Sequence, residues 1–211
     1  SNQKGFSIVE MLIVLAVVVI LSAMAVMTLS NPKKYVADDQ AKNLIDILDE
    51  ARQKSLNQRK TFRVEVNKTK KEVRLIDEGT DTTTASDDTI LKRYQISEQV
   101  VIGSAPSNVT GAPTATSPIP VPTYSSSTYP LSSGDQKITL RFTRTGRVVD
   151  AGTDNIGTGS IMSGATIYVH SITPSATTPD VIRAVTVLGT TGDTSLFKCK
   201  FVSGSCTNWS K

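Results

Sequence analysis

The chain has 211 residues and a mass of 22.6 kDa, which fits one domain of ordinary size with an appendage and excludes a large multidomain enzyme. One histidine, two cysteines and 5% aromatic residues leave few groups for nucleophilic, acid–base or metal chemistry, so no catalytic residue, metal or other cofactor is expected. The 23 Lys and Arg against 19 Asp and Glu give +4, too mild a balance to imply nucleic acid by itself. Its distribution is uneven: nine bases and two acids lie between Arg52 and Arg74, and five acids without a base between Asp77 and Thr89. These blocks adjoin and offset each other at long range.

In chain order, the first element is apolar. Met11 to Met27 carries no charge and the uncharged tract runs on to Pro32. At about 1.5 Å per residue, roughly 20 residues span the ~30 Å hydrocarbon of a bilayer, so the segment is long enough to cross one. The alternative is a cleaved secretory signal, with Lys4 as its positive region, 11–21 as its apolar core and Ala23-Met24-Ala25 as its cut site. Against that, Glu10 stands at the mouth of the run, where an unpaired carboxylate costs ~1–3 kcal/mol. The apolar residues also continue past the supposed cut, through Val26, Met27 and Leu29. Lys33 and Lys34 after the run, against Lys4 before it, weigh toward a cytoplasmic C-terminal part, whereas the two distal cysteines weigh toward an outward one.

Pro32 predicts a kink or break near Ser30 and Asn31. Helical spacing then resumes over 33–60: Val36, Ala37, Ala41, Leu44, Ile45, Leu48 and Ala51 form one apolar stripe, with Asp38–Lys42 and Glu50–Lys54 as i,i+4 pairs on the outer faces. Helix from Phe6 to about Asn57 would run ~78 Å. From residue 61 onward strands predominate. Thr61–Val66 and Glu72–Ile76 alternate around a turn at Asn67–Lys70, predicting a hairpin. Short strands are expected at Ile90–Ile96 and Gln99–Ile102, then at Ile138–Phe142, Arg147–Val149, Ala165–Ile172, Val181–Leu188 and Thr194–Cys199. Between them, 104–136 holds six of the nine prolines, 13 Ser or Thr and the single charge Asp135, and reads as a surface excursion, either an unstructured linker or a partner-binding loop. One helix followed by many strands is an α+β head.

The first residues also resemble a known family. Lys4-Gly5-Phe6-Ser7-Ile8-Val9-Glu10 followed at once by the apolar run is similar to the processing site of type IV prepilins and of the pseudopilins of type II secretion. The resemblance implies that a prepilin peptidase cuts after Gly5 and methylates Phe6, the apolar helix being retained. Cleavage would leave a positive amine on Phe6 beside Glu10, which would serve assembly by pairing with an amine on a neighbouring subunit. Ile138-Thr-Leu-Arg-Phe-Thr-Arg-Thr-Gly146-Arg147, Ile182 to Gly192, and Ala51-Arg-Gln-Lys-Ser leading into Thr61–Val66 resemble the GspH/FimT minor pseudopilins and minor pilins, although Gly192-Asp193 stands where that family often has Gly-Arg. The implied architecture is a leader remnant (1–5), a transmembrane and assembly helix (6–32), an amphipathic helix (33–60) and an antiparallel head (61–211). The implied role is a structural subunit of a pilus or secretion filament, held in the bacterial inner membrane with its head outside the cytoplasm. Its partners would be other pilin subunits, the peptidase, an assembly platform and lipid.

Two further readings concern chemistry. Cys199 and Cys206 enclose a short loop, which in an extracytoplasmic protein reads most simply as a disulfide, with free thiols or metal ligation as the alternatives; no CxxC or HxxxH spacing accompanies them and His170 reads as a strand residue. Some FimT-like proteins take up DNA through basic groups on the head. The residues here that could do so are Arg141, Arg144 and Arg147 in one strand-turn and Lys198, Lys200 and Lys211 near Trp209 in the tail, the alternative being an ordinary solvated surface.

Overall fold

The computed structural model describes residues 7–28, 32–80, 86–113, 125–126, 134–150, 161–172 and 178–211, with side chains omitted at 23–28, 32–33, 125–126 and 150. Gly5, Phe6, the expected kink at Ser30 and Asn31, and most of the 104–136 excursion lie outside them. Helix α1 (Ile8–Thr28) is followed by α2 (Pro32–Gln58), with Pro32 in the first turn, where its missing N–H costs nothing. The side chains of α1 are described as far as Ser22, and among the described residues no helix is long and apolar enough to cross a membrane. Arg59 ends α2 in a left-handed conformation, φ 54°.

The head is α+β, as expected, and its strands form two antiparallel sheets. The first contains β1 (Phe62–Asn67), β2 (Glu72–Asp77), β3 (Thr89–Gln95), β5 (Ser125–Ser126) and β6 (Gln136–Phe142), in the order β3-β2-β1-β6-β5, with β7 (Val148–Asp150) also on β6. The second has the order β11-β10-β9-β8-β4, from β4 (Val100–Gly103), β8 (Gly164–Ser171), β9 (Ile182–Leu188), β10 (Thr194–Val202) and β11 (Ser205–Ser210). The two join where Val148 N–H donates to the Gly189 carbonyl (2.8 Å) and Met162 N–H to the Val148 carbonyl (3.0 Å).

Alternation explains why α2 can serve both sheets. Phe62, Val64, Val66, Val73, Leu75, Ile138, Leu140 and Phe142 turn one face of the first sheet inward; Ala165, Ile167, Val169, Val185 and Val187 do the same for the second. Between them lies the stripe of α2, Ala37, Ala41, Leu44, Ile47, Leu48 and Ala51, so one apolar core joins the three layers. The expected pair Glu50–Lys54 forms at 3.8 Å, but Asp38 turns to Arg183 of β9 instead of Lys42, because the start of α2 packs on that sheet.

The opposite face of the first sheet departs from a half-exposed pattern. Arg63 and Glu65 of β1, Glu72 and Arg74 of β2, and Lys137 and Arg141 of β6 are all buried. They survive by pairing. Arg63 donates from Nη1 to Glu78 Oε1 (2.7 Å), from Nη2 to Asp88 Oδ2 (2.7 Å) and from Nε to Glu65 Oε1 (3.0 Å), and Arg141 Nε reaches Glu78 Oε1 at 2.6 Å. Burial opposes the charge on Arg63, but Glu65, Glu78 and Asp88 outweigh it and hold its pKa above the ordinary value. The basic and acidic blocks of the sequence thus meet as direct ion pairs.

Candidate assembly site and exposed basic groups

Ser7 and Glu10 fall at the spacing of a capping box, and the structure forms one. The Glu10 Oε2 accepts from the Ser7 backbone N–H at 3.1 Å, while the Ser7 Oγ accepts from the Val9 N–H at 3.3 Å. The carboxylate is the one acid of α1 and lies at its positive end. The motif Ser-Ile-Val-Glu was legible in the sequence, where the expectation had been only an intersubunit partner for Glu10. Beyond it, α1 is apolar on every side: Ile8 is 81% exposed and Val17, on another face, still 49%. A helix hydrophobic all round calls for lipid or other apolar helices as its surroundings.

The six basic candidates separate. Arg141 is 1% exposed and locked to Glu78, so it does not belong to a solvent-facing group; its strand position between β1 and β7 buries both of its flanks. Arg144 and Arg147 are exposed in the turn after β6. That turn closes with Gly146 N–H donating to the Thr143 carbonyl at 2.8 Å and lies against Leu56, near the end of α2. Lys211 shares a polar cleft with Asp49, Arg52, Asp193 and Thr194, where Arg52 Nη1 meets Asp193 at 3.0 Å. This salt bridge gives Asp193 a local partner in the second turn. Lys198 and Lys200 are exposed on β10 beside the start of α2, where Cys199 and Phe201 share a cavity with Lys34. Since β10 starts with Thr194 bonded to Asp49 and ends beside Lys34, it runs back along the helix. Residues 34 and 52 are about 27 Å apart along it by helical rise.

Cys199 and Cys206 are joined by a disulfide, with Cα atoms 5.8 Å apart. The expected short loop is instead a hairpin: Ser203 (φ 50°) and Gly204 (φ 81°) form the tight turn between β10 and β11. Strand β11 was unforeseen, although the Ser-Gly dipeptide was its signal. The first part of the Pro/Ser/Thr excursion straps it. Cys206 N–H donates to the Asn108 carbonyl at 2.7 Å and the Trp209 indole to the Gly111 carbonyl at 2.8 Å. At the far end, Asp135 Oδ2 accepts from Asn67 Nδ2 at 2.7 Å, and this bond, with Lys70 nearby, holds its carboxyl below the usual range.

His170 lies half-buried on β8, and burial lowers its pKa below 6.5 although its Nδ1 lies 3.3 Å from the Ser171 carbonyl oxygen. The unfolded chain therefore takes up this proton first. The stability His170 contributes is complete above about pH 6.5 and is lost as pH falls toward the folded pKa. Thermal melts between about pH 8 and pH 5 should show Tm falling more steeply on acidification for the parent than for His170→Gln; identical slopes would refute the assignment.

Residues 1–26 match the family model described as the prokaryotic N-terminal methylation motif. No curated protein and no solved structure is significantly similar to the chain. The match supports a type IV pilin-like protein, processed by a prepilin peptidase, anchored in a membrane and then assembled with other pilin subunits.

Proposed function

We propose that this protein is a minor pilin or pseudopilin of the GspH/FimT kind, a structural subunit without catalytic activity that joins a type IV pilus or a type II secretion filament. The reading divides the chain into a leader (1–5), a bilayer and assembly helix (6–32), an amphipathic helix (33–60) and a head (61–211). The observation that carries it is the pairing of the methylation motif at residues 1–26 with a helix whose one acid, Glu10, stands at the head of a uniformly apolar surface. Glu10 is satisfied within its own chain by the capping bond. Assembly would exchange that bond for a neighbour's Phe6 amine and so fix the register between subunits. The uncharged residues through Pro32 complete a bilayer-length segment, with the head on the far side of an inner membrane.

Two measurements test this. Intact mass of protein co-expressed with a prepilin peptidase should show Ser1–Gly5 lost and one methyl gained on Phe6, and Gly5→Val should abolish both changes. Glu10→Val should leave membrane fractionation unchanged and reduce recovery in sheared filaments at least ~10-fold, the loss of a buried pair's contribution. Parent-like recovery would remove the role of Glu10.

A second reading, DNA capture during transformation, is favoured by Arg144 and Arg147 standing exposed in one turn beside the end of α2, where Arg59 is also exposed. Lys211 lies in the adjoining cleft and extends the group; Arg141 drops out of it. Phosphate contacts of this kind weaken with salt. In gel shifts with nonspecific duplex DNA, the double variant Arg144→Gln/Arg147→Gln should bind at least ~5-fold more weakly than the parent at low salt. No shift by the parent would eliminate the reading.

A further inference from the structure

The end of the head where α2 begins has a composition of its own. Lys34 in the first turn of α2 borders a cavity of about 230 Å³ with Asp180, Val181, Arg183, Cys199 and Phe201. Lys198 pairs in register with Arg183, and Lys198 and Lys200 project from the same face of β10. Large apolar side chains stand exposed at this end as well: Tyr35 (66%), Val202 (52%) and Ile172 (41%). The acids here are engaged by protein groups. Asp38 pairs with Arg183, Asp180 accepts from Ser171 Oγ at 2.9 Å, and Asp39 accepts from Asn43 Nδ2 at 3.3 Å. Asp39 and Asp180 remain exposed, so among the described residues Lys34, Lys198 and Lys200 face outward with two carboxylates, tyrosine and aliphatic carbon. Such a mixture of lysine, aromatic and apolar groups is found where side chains meet a lipid–water boundary.

Chain length fixes which boundary is within reach. Between Thr28, the last residue of α1, and Pro32, the first of α2, there are four peptide steps, at most ~14 Å of extended chain. Where the apolar helix leaves a bilayer at its C-terminal end, Lys34 and Tyr35 are held within ~19 Å of that surface. We propose that this end of the head is a membrane-contact face, on which Lys34, Lys198 and Lys200 bind anionic phospholipid headgroups while Tyr35 and Val202 rest at the interface. The inference rests on the reading of the N-terminal helix as a bilayer anchor. The contact would hold the subunit upright on the membrane before assembly and would be given up as the subunit enters a filament.

The test uses the full chain in nanodiscs, of phosphatidylcholine alone or rich in phosphatidylglycerol, followed by amide hydrogen exchange. At low salt, exchange at Val202–Ser205 should slow roughly fivefold or more in the phosphatidylglycerol discs relative to the phosphatidylcholine ones. The difference should disappear in Lys34→Gln/Lys198→Gln/Lys200→Gln and at high salt, with Ile8–Ser22 protected throughout. Equal exchange in both lipids with Ile8–Ser22 protected overturns the contact face and leaves the anchor standing. Slowing that persists in the triple variant overturns the role of the lysines. An unprotected Ile8–Ser22 in every disc overturns the anchor and the contact face together.

Discussion

Arg63→Met should lower the stability of the head by about 3–5 kcal/mol, the cost of removing one member of a buried ion group and leaving its partners charged and dry. The side chain is 1% exposed and joins Glu65, Glu78 and Asp88 through three nitrogens. Methionine preserves much of the volume, so the loss reports the charge rather than a cavity. Urea unfolding of the detergent-solubilised protein measures it. The comparison is Lys92→Ala, which removes an ion pair with Glu50 at a similar 2.9 Å but with the lysine side chain 51% exposed. That variant should lose under ~1 kcal/mol. Equal effects for the two would mean that the buried network contributes no more than a surface pair.

Gly192→Ala should cost about 3 kcal/mol, and for a different reason. Gly192 has φ +72°, where a side chain costs ~1 kcal/mol or more. A Cβ there would press into the Gly146 carbonyl oxygen and come within 3.0 Å of Arg52 Cδ, so crowding adds ~1–3 kcal/mol. Gly204→Ala separates the two contributions: φ is +81°, yet no atom lies within 4 Å of the added carbon. It should cost only the conformational part, ~1 kcal/mol. Thermal melts of both variants decide between crowding and backbone strain; equal shifts would mean that the two turns and the end of α2 do not press together.

Local periodicity made much of the head legible. The three-and-four spacing gave α2 almost to its observed ends, and alternation located the strands from Phe62 to Leu188 within a residue or two, except the two-residue β5, which falls in the Pro/Ser/Thr excursion where no strand was expected. Strand β11 escaped because Ser-Cys-Thr-Asn-Trp-Ser carries little of the β-branched character that marks a strand. The partition into two sheets depends on pairings between distant segments, such as β1 with β6, which no local window contains. The charged face of the first sheet looked like an ordinary solvated one, since Arg63, Glu65, Arg74 and Lys137 occupy the polar positions of an alternating pattern. The burial of Arg63 is matched by Asp88 and Glu78, brought in from outside those strands, and that of Arg74 and Lys137 by Glu72 and Glu65 across the sheet face. Arg141 was misassigned for the same reason. At the N-terminus the reverse holds: the methylation motif is short and local and sequence alone carried it, while the equally local Ser7–Glu10 capping box was there to be read but emerged only with the structure.

The ion group around Arg63 also bears on how the protein responds to heat. The free energy required to strip water from charges declines on warming, whereas the gain from burying hydrocarbon levels off. A layer of guanidinium and carboxylate groups within the fold therefore counts for more at elevated temperature than on a cold bench. Substitutions in it should look milder in chilled assays than in a thermal ramp.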